Sequence, residues 1–103
     1  MYVSRITFHT QPGKTQAVEE RLTTLVRWVK EAGGARPRIL RTHYGSPGAP
    51  DLVFEQEVTD LSALEDQIRK VTENGEFQRW AKQVSDLLQS SAKRELYCVR
   101  NEA

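Results

Sequence analysis

Apolar and polar residues change their period repeatedly along the chain, and the changes write the order strand, helix, strand, strand, helix, strand. From Tyr2 to Thr10 the two kinds alternate, with Tyr2, Ser4, Ile6 and Phe8 on one side and Val3, Arg5, Thr7 and His9 on the other, the signature of a strand. Gln11, Pro12 and Gly13 break that pattern. Between Thr15 and Ala32 the apolar residues Val18, Leu22, Leu25, Val26 and Val29 recur at helical spacing, opposite Glu19, Glu20, Arg21, Arg27 and Lys30, which predicts an amphipathic helix ended by Gly33 and Gly34. Arg38 to Tyr44 and Leu52 to Val58 are β-rich runs separated by turn-formers from Gly45 to Pro50, so they are expected to pair as an antiparallel hairpin. Thr59 or Asp60 can cap a second helix carrying Leu61, Leu64, Ile68 and Val71. At Asn74 and Gly75 the stripe breaks, and Phe77, Trp80, Ala81, Val84, Leu87 and Leu88 resume it in a new phase, so this helical region is expected in two pieces. Arg94 to Arg100 closes the pattern as a fourth strand.

Both helical stripes need an apolar partner, and the nearest is one face of a four-stranded antiparallel sheet, an α+β arrangement with helices on one side. Assigning Tyr2, Ile6, Phe8, Leu40, Tyr44, Leu52, Phe54, Leu96 and Cys98 to that side leaves a second face that mixes charge with bulk. On it fall Val3, Arg5, Thr7, His9, Ile39, Arg41, His43, Val53, Glu55, Glu57, Glu95, Tyr97 and Val99. These assignments depend on strand registers that a single bulge would invert.

Composition narrows the classes of partner. At 103 residues the chain has room for one core, so residues 1–103 are read as a single domain. A formal net charge of +1 supplies no field to draw it onto nucleic acid or an anionic membrane, and neither is expected as a partner. No signal peptide or membrane span is visible, and the lone Cys98 cannot form an internal disulfide, which together point to the cytoplasm. Within its strand Cys98 is expected to act as a small buried hydrophobe. Trp80 lies in a helical stripe and reads as core, whereas Trp28 falls at the edge of its stripe, partly exposed or under another subunit.

The first strand running into Gln11-Pro12-Gly13-Lys14 and a helix, with the Asn74-Gly75-Glu76-Phe77-Gln78-Arg79-Trp80 break before the last helix, resembles the ferredoxin-like βαββαβ domains of the dimeric α/β-barrel superfamily. Its members include antibiotic-biosynthesis-type monooxygenases, NIPSNAP-like domains and stress-responsive barrel proteins. The resemblance covers nearly the whole chain and implies a homodimer in which two sheets close face to face into an eight-stranded barrel around a small organic ligand. In NIPSNAP-like chains an arginine tends to stand two residues before an aromatic in the first strand; here Arg5 precedes Phe8 by three, and no catalytic residue is carried over. RNA-recognition domains share the element order, but the third strand reads Leu52-Val53-Phe54-Glu55-Gln56-Glu57, whose carboxylates would repel phosphate.

Two sheets closing over the mixed face would enclose ionisable groups that must pair, hold water or bind something polar. On that reading His43 is the candidate for proton transfer, Arg41 and Arg5 for holding an anionic or enolate oxygen, and Glu55 for orienting a histidine. His9, Glu57 and Tyr97 would complete the lining, with Tyr97 packing on the ligand or hydrogen-bonding it. Neither a metal nor another cofactor is expected, since two histidines without a short repeated spacing make no ligand set. Two functions fit: a small-molecule-binding barrel acting as a cofactor-independent monooxygenase or isomerase, or a non-catalytic dimerisation or ligand-sensing module whose charges form salt bridges between subunits. The sequence leaves open whether the chain is an enzyme.

Overall fold

A computed structural model describes residues 1–102. Strand β1 spans Tyr2–Phe8, helix α1 Thr15–Glu31, β2 Ala35–Arg41, β3 Leu52–Val58, α2 Leu61–Thr72, α3 Phe77–Ser85 and β4 Lys93–Cys98. The strands form one antiparallel sheet in the order β2-β3-β1-β4. This is the ferredoxin-like α+β arrangement expected from the pattern, including the second helical region split at Asn74 and Gly75. No helix among the described residues is long and apolar enough to cross a membrane.

Local chemistry accounts for the boundaries. Helix α1 ends where Gly33 takes a φ of 92°, a left-handed conformation that glycine adopts without a Cβ penalty, while Gly33 and Gly34 donate back to the carbonyls of Lys30 and Val29. Asp60 caps α2, its carboxylate accepting from the Ala63 N–H at 2.8 Å. Phe8, Leu22, Leu25, Val29, Leu52 and Phe54 form the centre of the core between α1 and the sheet.

Pairing fixes the faces, because residues directly opposite one another on antiparallel strands project to the same side. Ser4, Ile6 and Phe8 on β1 lie opposite Gln56, Phe54 and Leu52 on the helix side, while Val3, Arg5 and Thr7 lie opposite Glu57, Glu55 and Val53 on the open side. On β4, Glu95 and Tyr97 take the open side, and Arg94, Leu96 and Cys98 the helix side, in agreement with the sequence pattern. Strand β2 departs from it. The expected run Arg38 to Tyr44 begins instead at Ala35 and stops at Arg41. A register shift between Ala35 and Arg38, with Arg36 at a φ of 51°, inserts a bulge that reverses every side chain after it. Ile39, opposite Phe54, therefore packs on the core, and Leu40, opposite Val53, stands on the open face.

Three further expectations are corrected. Trp28 is buried, because α1 presents it to the aromatic residues at the start of α3. Cys98 is exposed, since the helices stop short of the edge strand β4, all six residues of which are exposed. Tyr44, expected against the helices, is 90% exposed in the loop after β2.

Candidate functional site

Glu55 is the centre of the open face. It stands on an interior strand between β1 and β2, and its carboxylate takes a hydrogen bond from Arg5 Nε at 2.6 Å and from Arg38 Nε at 2.7 Å, with Arg38 Nη2 adding a second. Only 3% of Glu55 is exposed, while both arginines keep about half of their side chains in solvent. Burial raises its carboxyl pKa, but hydrogen bonds from Arg38 and Arg5 and their positive charge outweigh that and hold it below the usual glutamate value. Arg5 also lies over the Tyr97 ring, 5.4 Å from its centroid, and the Glu95 carboxylate beside the Tyr97 hydroxyl pushes the phenol pKa up. Glu57 pairs with Arg36 at 3.2 Å.

Four of the residues singled out in the sequence, Arg5, Glu55, Glu57 and Tyr97, thus share one face. Three do not join them. Arg41 lies opposite Leu52 on the helix side and reaches α1, 3.6 Å from the Glu19 carboxylate and 3.3 Å from Gln16 Oε1. His43 lies beyond the end of β2, exposed, its ring edge-on to Tyr44 at 4.6 Å. The strand stops before it because Thr42 turns the chain, its N–H and hydroxyl bonding to the carbonyls of Asp51 and Pro50. His9 follows β1 and meets the Gly48 carbonyl through Nε2 at 3.0 Å. The pairing of Glu55 with Arg38 was missed because a strand without the bulge puts Arg38 on the opposite side.

The sheet's other face holds a cavity of about 260 Å³ between the strands and helices α2 and α3. Phe8, Phe54, Val71, Phe77, Trp80 and Val84 supply most of its apolar wall. Helix α3, separated from α2 by the break at Asn74 and Gly75, contributes Phe77 and Trp80 to this wall, and both rings pack with Trp28 of α1. Trp80 is held in place by its indole N–H, which donates to the Arg21 carbonyl at 2.8 Å. Space of this size and lining suits a small organic molecule.

Two polar residues of the sheet, Gln56 and Arg94, line this cavity, and Ser4 lies beneath it between them. Gln56 on β3 lies directly opposite Ser4 on β1, and Arg94 on β4 donates through Nη1 to the Ser4 hydroxyl at 2.8 Å. Gln56 and Ser4 are each 1% exposed, and Gln56 Oε1 has no hydrogen-bond partner. Gln67, on α2, brings a second buried carboxamide to the lining. Gly34 makes room for both: a Cβ there would lie 2.7 Å from Gln67 Oε1, 2.9 Å from Gln56 Oε1 and 2.3 Å from Val29 Cγ1. Arg94 is exposed as a residue yet forms no ion pair among the described residues, and partial desolvation of its guanidinium lowers the pKa. The sequence reading passed over Gln56 and Arg94. The available signal was a glutamine and an arginine at positions whose strand neighbours face the core.

Solved structures place this geometry among known folds. The chain superposes on an uncharacterized NIPSNAP domain protein from Burkholderia xenovorans with a TM-score of 0.77 at 16% identity, covering 97% of this chain and 95% of that one. A NIPSNAP family protein from Agrobacterium tumefaciens gives 0.78 at 14% identity, covering 97% and 93%. The fold is the one these proteins share. It is also that of an antibiotic biosynthesis monooxygenase, at a TM-score of 0.69 and 14% identity over 98% of this chain and all of that one. No family model and no curated protein matches the sequence. The suspected superfamily is thereby supported at the level of fold. Among the described residues, no three His, Cys, Asp or Glu side chains converge as a metal-ligand group.

Proposed function

We propose that the chain binds a small, mainly apolar organic molecule in the cavity between its helices and its sheet, and that two copies meet open face to open face. The observation that carries the reading is the cavity of about 260 Å³, mainly apolar on its walls and lined at a few points by Gln56, Gln67 and Arg94. A sealed apolar core has no use for an unpartnered buried carboxamide, whereas a binding pocket uses a few polar groups to orient its occupant. Oxygenase or isomerase chemistry, if the chain performs it, would act on that occupant, and the groups that would meet it are Trp80, Gln56 and Arg94 rather than His43.

The open face supports a structural role in the same protein. Its two glutamates on β3 are matched within the face, Glu55 by two arginines and Glu57 by a third, so covering that part of the sheet leaves neither carboxylate without a cation. Half-exposed Leu40 and Tyr97 add apolar area there. Four strands are too few to close a barrel alone, so the cover is a second copy, and light scattering on a sizing column should return a dimer mass.

Naphthol titration followed by tryptophan fluorescence tests the pocket. Trp80 lines the cavity and Trp28 lies 5.7 Å from it, so occupancy should change the emission of the wild-type chain. Ala81→Phe, which fills the cavity from α3, should abolish that change while the variant still unfolds cooperatively. An equal response from both proteins would contradict the assignment.

A further inference from the structure

The polar residues lining the cavity have a chemical preference. Arg94 is a permanent cation at an otherwise apolar wall, with no carboxylate paired to it among the described residues and its one hydrogen bond made to a neutral hydroxyl. The other strand arginines Arg5, Arg36, Arg38 and Arg41 all have a carboxylate partner. Arg94 is exposed as a residue and stands at the edge of the cavity, where a bound anion would supply the charged partner that the described residues do not. Gln56, opposite the same Ser4, and Gln67 both line this cavity, and a carboxamide there can donate through its Nε2–H to a ligand oxygen. A ligand oxygen in the cavity can therefore meet the Arg94 guanidinium and the Gln56 amide N–H, both of which belong to its lining.

We propose that the occupant of this cavity is an apolar acid, a flat hydrocarbon or aromatic body carrying a carboxylate or an ionised hydroxyl, with its anionic oxygen on Arg94 and Gln56. The proposal rests on the pocket reading above and adds the class of ligand. The apolar body lies against Phe77, Trp80 and Val84, and the acid group lies against Arg94 and Gln56. Gln56 is the selectivity residue here, its amide N–H donating to the oxygen that Arg94 neutralises, while Ser4 holds the guanidinium from beneath.

Naphthoate and its uncharged amide, naphthamide, share one body and differ in charge, so their affinities at neutral pH separate the pocket from its preference. Wild type should bind naphthoate at least about ten-fold more tightly than naphthamide, the gain expected of a charge-assisted contact in a partly buried site. Arg94→Gln should remove that difference and leave naphthamide affinity unchanged, and Arg94→Lys should restore part of it. Gln56→Leu should weaken both ligands, since each has an oxygen for the carboxamide. Equal binding of the two probes by wild type, or a preference for naphthoate that survives Arg94→Gln, would overturn the acid assignment while leaving the pocket standing. Absence of binding by both probes would overturn the pocket and the acid assignment together.

Discussion

The two faces of the sheet treat their polar groups in opposite ways. On the open side Glu55 is nearly buried, yet both of its oxygens are taken by arginines, and Glu57 has Arg36. On the helix side Gln56, the residue between those two glutamates, keeps a buried oxygen unpartnered beside a cavity, and Arg94 has no counter-ion, both among the described residues. Adjacent positions on one strand thus show charge matched within the fold and polarity left over. Matched groups build a surface, whereas unmatched ones beside empty space mark a place for something else.

The largest effect that separates the faces should come from size rather than charge. Phe54→Ala removes a ring that is 1% exposed and also lines the cavity, so chemical denaturation should show a loss of about 3–5 kcal/mol, against a much smaller loss for Val53→Ala on the open side. A comparable cost at both positions would mean that the open face is as tightly packed as the core.

Glu55→Gln comes next. It keeps the shape and removes the charge that two arginines share; because those arginines are about half exposed, the expected loss is about 1–2 kcal/mol at neutral pH. The sign of its pH dependence follows from a folded-state pKa held below the unfolded one. The stabilisation is complete above the unfolded glutamate value of about 4.3, and it is lost as the pH falls through the lower folded value. The stability gap between wild type and Glu55→Gln should therefore be flat near neutrality and close in acid, as measured by urea titrations across that range.

On the helix side the same kind of substitution should reverse in sign. Gln56→Leu replaces a buried oxygen without a partner by apolar surface, so the empty protein should gain about 1 kcal/mol in thermal unfolding while ligand affinity falls. A destabilised variant would indicate that the carboxamide has a structural partner after all. The smallest effect is expected at His43, exposed in its loop: His43→Ala should change stability by less than about 0.5 kcal/mol and leave naphthol binding unaltered.

Much of the fold was legible in the sequence because its elements have clean periods. The alternation through β1, the stripe of α1, and the change of phase at Asn74 and Gly75 each reflect burial on one side, which the helices and sheet then supply. Strand β2 was not legible. Its run Arg36-Pro37-Arg38 contains a bulge that depends on a left-handed residue other than glycine, and nothing in the local pattern announces it. That displacement moved Arg41 to the helix side, brought Arg38 to Glu55, and left His43 outside the sheet. Arg5, Glu55, Glu57 and Tyr97 were placed on the open face because β1, β3 and β4 keep strict alternation. The cavity was hidden for another reason: a sequence shows which side chains face inward but not whether they meet, and here those of the sheet, α2 and α3 leave space between them.

The most direct test compares the two faces in one experiment, a methyl-resolved NMR titration of the wild-type chain with naphthoate. The account predicts shifts of the Val29, Val71, Val84 and Leu88 methyls, which line the cavity, with Val3, Leu40 and Val53 on the open face unmoved. Shifts confined to Val3, Leu40 and Val53 would contradict it, and would put the binding site on the charged face.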